Sequence, residues 1–475
     1  MSDNIVSSHR FGCSSLPAWT MRDSKADGEG RRLSDLAQRP ASRDGPGYVV
    51  LPRAGLEAAL FLLVIFAIYL ASPIVDSSDS HFVLPTALNI VRHGDADIDR
   101  YNRQFPDAPW AVWQSHGRSW NVYPIGVPLL AAPLVFAADR IAAICGINLE
   151  AAATQKAPLV LELVFASLIT AAAAALLFYY IRRRLPLGKS LLLAGLFALG
   201  TSAYSSASRG LWQHGPSMLL LAGAILIYDR LPEWGARGAG LLGIIVGYSY
   251  AVRPANVAAI AGFAVLLALT AWRRLGPYLC GTALGVAPLF GFHLMAYGAW
   301  SSYYYRMTQG SLLSLSVPFR PLAAILVSPS RGLFVFSPFL LFLFVRCRPS
   351  FLRRYRPSPL EILLAVLSVG WCIGVARWFM WWGGGSYGPR LLCDLLPFAT
   401  VLLIPVVKEL SLTGGRTAKL WTVLFFVAGA LSIAVHARGA TSTAPAEWNG
   451  KPVPVDQAVE RVWSWKDPQF LRGLH

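Results

Sequence analysis

Apolar runs, many of them of roughly 18–22 residues and so long enough to cross a ~30 Å hydrocarbon core as a helix, recur from residue 54 to residue 436, the one at 238–252 being short. No other feature constrains the fold as tightly. Inside a bilayer every backbone N–H and C=O must find its partner within the protein, and unbroken apolar runs of this length do so as α-helices. The first run is 54–74, AGLEAALFLLVIFAIYLASPI, which reads as an uncleaved signal anchor. Further runs lie near 157–181, 190–207, 213–229, 238–252, 255–272, 277–297, 333–346, 359–379, 391–407 and 419–436. The expected fold class is therefore an all-α polytopic membrane protein with about eleven transmembrane helices. Composition agrees, since 55% of the chain is hydrophobic and only 14% charged, against about 25% charge in a soluble domain.

The net charge of +17 resembles a nucleic-acid signal, but Lys and Arg sit mostly at the ends of apolar runs. Positive charge collects in the cytoplasmic turns of membrane proteins, so no nucleic-acid partner is expected. The turns are Arg182–Arg184, Arg230 with Arg237, Arg273–Arg274, Arg346 to Arg356, and Lys408 to Lys419. They agree on one orientation only if the apolar segment 123–144 does not cross. Pro124, Pro128 and Pro133 interrupt that segment, and it is expected to lie on the outer surface as a helix, beside a helix near 81–92. The domain plan follows: a disordered cytoplasmic tail at 1–53, a transmembrane domain at 54–436 with a large extracytoplasmic loop at 75–156, and a short extracytoplasmic tail at 437–475. The six cysteines show no paired spacing and read as buried thiols without a disulfide framework.

Chemistry is expected in the outer loops. The loop after the first run contains Asp76, Asp79, Asp95, Asp97, Asp99, Asp107, Asp139 and Glu150, in a chain with 25 acidic residues in all. Carboxylates are costly near a bilayer, so a cluster beside one suggests a task. A carboxylate at the mouth of a membrane cavity loses water and becomes a better base; the competing reading is that Asp76 and Asp79 cap the next helix. Asp95, Asp97 and Asp99 read as a hydrophilic turn or as a weak divalent-cation loop, a divalent cation being the only candidate cofactor. Four outer arginines are suited to grip a phosphate: Arg209, Arg253, Arg331 and Arg390, or else they snorkel to lipid headgroups. Gly383–Gly385 and Gly388 would let backbone amides approach an anion, or form a plain tight turn. His214, Tyr123 and Tyr387 are candidates for substrate contact, His214 alternatively being a structural histidine. Glu162, inside a run, is either functional or paired locally. Trp110, Trp113, Trp120, Trp378, Trp381 and Trp382 read as an interfacial belt.

The order of these features is a first run, an acidic loop, an amphipathic helix, Gly94-Asp95, then a Pro-rich apolar helix at Tyr123–Phe136. It resembles the GT-C superfamily of polyprenyl-phosphate-sugar-dependent glycosyltransferases, nearest to the protein O-mannosyltransferases and the lipid A aminoarabinose transferase. The resemblance covers most of the chain by topology and is residue-specific only in the first outer loop. It implies that Asp79, counted back from Gly94, is the catalytic base. Among the outer-loop candidates, Asp76 is then expected to support it, and Arg331 and Arg390, ahead of Arg209 and Arg253, to clamp the donor phosphate. The family's Asp-Glu pair reads Asp79-Ser80 here, its Lys before the Pro pair is Tyr123, and the acid of its second outer loop is replaced by Trp212, Gln213 and His214.

The resemblance implies transfer of one sugar, with inversion, from a polyprenyl-phosphate donor to a glycan, lipid or protein acceptor on the outer face of a bacterial inner or plasma membrane. A single carboxylate suits that chemistry. Glycosidases need two because the leaving alkoxide must be protonated, whereas a phosphate monoester, with a second pKa of about 6, leaves as a stable anion. Two other function classes stay open: a transporter or flippase of lipid-linked sugars, which would carry polar groups at the bilayer midplane in two related halves, and an inactive relative that scaffolds envelope assembly. The sequence contains no P-loop, dinucleotide fingerprint, zinc spacing or nucleophile elbow.

Overall fold

The computed structural model of the protein describes residues 53–76, 79–102, 111–153, 157–302, 304–306 and 317–474. The expected tail at 1–53 lies outside the described residues except for Arg53, as do Asp107 and Trp110. The chain is mostly helical. The longer helices are α1 (Ala54–Leu70), α2 (Val83–His93), α3 (Gly126–Ile144), α4 (Ala157–Arg182), α5 (Leu187–Leu199), α6 (His214–Asp229), α7 (Leu231–Val252), α8 (Val257–Thr270), α9 (Leu275–Tyr297), α10 (Phe319–Val327), α11 (Pro359–Arg377), α12 (Leu396–Glu409) and α13 (Arg416–Thr441). Between α2 and α3 runs an antiparallel hairpin, β1 (Val112–Ser115) and β2 (Arg118–Asn121), with Trp113 opposite Trp120.

Six helical segments are long and apolar enough to cross a membrane: Gly126–Ile144, Leu159–Arg182, Trp272–Tyr297, Pro359–Arg377, Arg390–Glu409 and Arg416–Thr441. Shorter apolar helices accompany them, including α1 and α5. Leu284 on α9, Val366 on α11 and Leu431 on α13 are all more than half exposed. Apolar side chains on the outside of a bundle fit a hydrocarbon surround, where helices gain nothing by hiding them. In α12, by contrast, every residue from Leu396 to Val407 is buried, so this helix is the centre of the bundle.

Helix contacts follow from residue size. On α7 and α9 a Cβ added at Gly243 would stand 2.0 Å from the Tyr278 carbonyl oxygen, and one at Gly285 would stand 2.3 Å from that of Ile244. The two backbones touch because glycines spaced four apart leave nothing between them, the small-residue crossing of membrane helices. Gly243→Ala is therefore expected to push the pair apart and to cost about 1–3 kcal/mol, read as a lower unfolding temperature of the protein in detergent.

The ion pairs fix which helix ends lie together. Arg182 at the end of α4 pairs with Glu57 at the start of α1 (2.7 Å), and Arg183 and Arg184 pair with Asp229 at the end of α6. Lys189 donates to the carbonyls of Lys408 and Leu410 at the C-terminal end of α12 (2.8 Å each). One end of the bundle thus gathers these basic turns, and the acidic loop and its partners lie at the other.

Several expectations change. The span at 333–346 is not a regular α-helix: a short helix Leu333–Phe336 gives way at Pro338 to a 3₁₀ segment through Cys347. The run at 190–207 ends as α-helix at Leu199 and continues as a π-turn, Ala203–Ala207. The short span at 238–252 is the C-terminal part of the longer α7, broken at Gly235. Despite its prolines, 126–144 is one continuous helix, with Pro133 inside it. Trp120 does not belong to an interfacial belt. It is buried, packs edge-on against Phe292 at 5.9 Å and donates to the Ser115 carbonyl. Of the described cysteines only Cys393 is buried, whereas Cys145, Cys280 and Cys347 are exposed because they face away from the bundle.

Candidate functional site

Two loops are stitched together to carry the acids. The first follows α1 and the second, 208–213, precedes α6. Glu162 on α4, fully enclosed, accepts from the Ser80 hydroxyl and from the Leu211 amide (2.8 Å), one donor from each loop. The Asp76 amide donates to the Arg209 carbonyl (2.8 Å), and the Trp212 indole donates to the Asp76 carbonyl. Glu162 is thus paired with local donors, the second of its two readings, and its effect is to hold the loops in register.

On this base stands the site. The Tyr123 hydroxyl, just before α3, donates to Asp79 Oδ1 at 2.7 Å. Arg390 Nη1 approaches Asp79 Oδ2 at 3.4 Å, and Arg390 Nη2 donates to the Gly383 carbonyl at 3.0 Å. The guanidinium lies over the Trp212 ring, 3.7 Å from its centroid, a cation–π contact that fixes its plane. Its Nε is buried and has no hydrogen-bond partner among the described residues, so one donor of the fork remains for a ligand. Burial, reinforced by the Asp79 charge, raises the Tyr123 hydroxyl above its ordinary range; it stays protonated and can only donate to the carboxylate. Arg331, Trp381, Trp382, Gly388 and Arg390 border a small recess of about 10 Å³ beside this contact, room for about one water.

Asp76 is held differently. Among the described residues no side chain hydrogen-bonds its carboxylate. Burial pushes its pKa up to about 6, Arg390 opposing this and the charges of Asp79 and Glu162 adding to it. Neither aspartate caps the following helix: the residue at the start of α2 is Phe82, and no side chain caps that end. The capping alternative therefore drops away, leaving both carboxylates at the mouth of the bundle.

A second charged group adjoins the first. Arg253 Nη1 lies 2.6 Å from His214 Nδ1, and Arg253 Nε lies 3.2 Å from Asp394 Oδ2. His214 Nδ1 is 3.5 Å from the same oxygen. Asp394 is fully buried, and neither of its oxygens has a well-aligned hydrogen bond among the described residues. Tyr304 bridges the groups: it meets Tyr123 edge-on at 5.5 Å and shares hydrogen bonds with Gln213.

The other expected site residues are engaged elsewhere. Arg209 is fully buried and donates to the carbonyls of Tyr69 (2.6 Å) and Ser72 (2.9 Å), so it closes the C-terminal end of α1, the place where a cation best meets unpaired carbonyls. Arg331 lies near Arg390 but has no donor left: Nε bonds the Trp382 carbonyl, Nη1 the Ser330 carbonyl and Gln469, and Nη2 the Gly384 carbonyl and Asn449. An arginine has five N–H groups, and all are used. Neither arginine can grip a phosphate without giving up these bonds, which corrects their assignment as clamps. Tyr387 is also withdrawn, its hydroxyl donating to the Val435 carbonyl (2.7 Å) beneath Gly439. Asp95 and Asp97 pair with Arg118, and Asp99 accepts from the Ser119 amide (2.7 Å). These are the contacts of a hydrophilic turn that anchors the hairpin. Among the described residues no three His, Cys, Asp or Glu side chains converge as metal ligands.

Asp394 is the residue that sequence reading missed. Its signal was present: an acid within RLLCDLLP, inside an apolar run, where an ionisable group marks function by default. Gln469, far along the tail, gave no signal at all. No family model matches the chain, and no curated protein matches it either.

Proposed function

We propose that this chain is an integral membrane glycosyltransferase of GT-C type, moving a sugar from a polyprenyl-phosphate donor to an extracytoplasmic acceptor. The observation that carries the reading is the arrangement of Asp79, held by the Tyr123 hydroxyl on one oxygen and facing the Trp212-stacked Arg390 with the other. It pairs one acceptor of protons with one fixed cation, at the end of the bundle opposite the basic turns. With those turns in the cytoplasm, the site opens outward.

The step balances with these groups alone. Asp79 takes the proton of the acceptor hydroxyl, and the acceptor oxygen attacks the anomeric carbon from the face opposite the phosphate. The bond between that carbon and the phosphate oxygen breaks, and its electron pair leaves on the polyprenyl phosphate. Arg390, held in place on Trp212, meets the departing anion through its free Nε and neutralises the leaving charge, the kind of preorganised electrostatic help that contributes most to such reactions. Direct displacement inverts the anomeric centre. Tyr123 keeps Asp79 aimed, and Asp76 supplies a second negative charge that depends on pH.

That dependence is a prediction. Asp76 has a raised pKa of about 6, so it is protonated below that value and ionised above it. Transfer is expected to rise as pH increases through about 6, and the Asp76→Asn variant is expected to lose that limb of the profile. A variant that keeps the full limb would assign it to another group.

The direct test uses the full chain purified in detergent with a radiolabelled polyprenyl-phosphate sugar and envelope extract as acceptor. A transferase releases polyprenyl phosphate and moves label to the acceptor. A flippase moves the intact labelled lipid across a vesicle without cleaving it, and that outcome would overturn the proposal.

A further inference from the structure

The loop that ends in Arg390, WWGGGSYGPR, is held only in part by its own bonds: Ser386 Oγ and Arg390 Nη2 both donate to the Gly383 carbonyl (2.9 and 3.0 Å). Gly383, Gly384 and Gly388 all have positive φ (77°, 61° and 60°), conformations that glycine adopts freely and therefore also leaves freely. At Gly388 an added Cβ would fall 2.7 Å from the Phe336 ring, so the backbone there is also tightly placed. Contacts from outside the loop complete the hold. Gln469, in the C-terminal tail and wholly buried, accepts from the Gly388 amide (3.0 Å) and from Arg331 (2.6 Å) through Oε1. Through Nε2 it donates to the Ser386 carbonyl (3.0 Å) and to Asn449 (3.1 Å). Arg331, itself held by Gln469 and Asn449, secures the carbonyls of Trp382 and Gly384. Backbone groups of Trp382, Gly384, Ser386 and Gly388 are thus tied to the tail or to an arginine the tail holds. Two residues later the chain reaches Arg390, whose buried Nε has no partner among the described residues.

We propose that Gln469 is a positioning residue: from the C-terminal tail it holds the Trp381–Arg390 loop in the shape that presents the Arg390 guanidinium to a phosphate-type anion beside Asp79. The inference rests on the transferase reading of that site. Glutamine is the side chain that fits the task, since it accepts with one end and donates with the other while adding no charge next to two arginines. A glutamate would keep the bonds from Arg331 and Gly388 but repel the Ser386 carbonyl and Asn449. The tail is then part of the anion site although it touches no ligand.

The test is titration of farnesyl phosphate, with farnesol as the uncharged control, into the full chain in detergent. The proteins are wild type, Arg390→Ala, Gln469→Ala and Gln469→Glu. Arg390→Ala should lose farnesyl phosphate affinity and keep farnesol affinity. Gln469→Ala should weaken farnesyl phosphate by about ten- to a hundredfold, the scale of a misplacement of about 1 Å, with farnesol unchanged. Should Gln469→Ala fail to fold, Gln469→Glu decides, because it keeps the acceptor half of the contact; it should show the same selective loss. Wild-type affinity in the Gln469 variants, or equal loss of both ligands, would overturn the positioning role while Arg390→Ala still upholds the anion site. If Arg390→Ala leaves farnesyl phosphate binding intact, the anion site itself falls.

Discussion

Asp79→Asn is expected to lower sugar transfer at least about 10³-fold, within the range for removal of a positioned general base, while the protein stays folded. The amide keeps the size of the carboxylate and can still accept from Tyr123, but it cannot take a proton. The folded state should be little disturbed because Asp79 is about one-third exposed and does not link the loops; Glu162 does that. The measurement is single-turnover label transfer beside the unfolding temperature in detergent. Retained activity would remove Asp79 from the chemistry. Tyr123→Phe should fall between the two, since it frees Asp79 Oδ1 without removing the base.

Arg390→Ala is expected to cost about 10²–10³ in rate, the magnitude for losing one preorganised electrostatic contact to the developing charge. Arg390→Lys should recover little of it. A lysine would keep the charge but lose the flat stacking on Trp212 and the fork that reaches the Gly383 carbonyl and a ligand at once. The contrasting variant is Arg331→Met. It leaves the acceptors on Trp382, Ser330, Gly384, Gln469 and Asn449 unsatisfied in the interior, and breaking such a buried network costs about 3–5 kcal/mol. Its unfolding temperature should therefore drop sharply, and clearly further than that of Arg390→Ala, which deprives only the Gly383 carbonyl and Asp79 of a partner. Equal thermal losses in the two variants would erase the distinction between the cation facing a ligand and the cation that braces the loop.

Bringing Asp79, Arg390, Trp212 and Tyr123 together was beyond any local pattern. Asp79 and Arg390 are 311 positions apart, and the glycines before Arg390 announce a turn without saying what it faces. The aspartates themselves were legible, because a carboxylate beside a long apolar run is costly wherever the chain goes. Among the four outer arginines, sequence favoured Arg331 and Arg390 together but could not separate those two. Each is a cation near the end of an apolar segment, and nothing in its neighbours along the chain reveals which carbonyls will surround it.

What the sequence determined by itself is the helical character of the chain, the several runs able to cross a bilayer, and the separation of basic turns from the acidic loop. These follow from hydrophobic length and charge placement, which act locally and need no partner. The tertiary structure decided which charged groups are already satisfied. Arg209 is taken up by the end of α1, Arg331 by the tail and the glycine loop, and Asp394 is brought beside Arg253 and His214. Hydrogen-bond saturation is a property of the three-dimensional neighbourhood. Only once the helices have packed does one guanidinium among the described residues, that of Arg390, remain with a buried donor still to give.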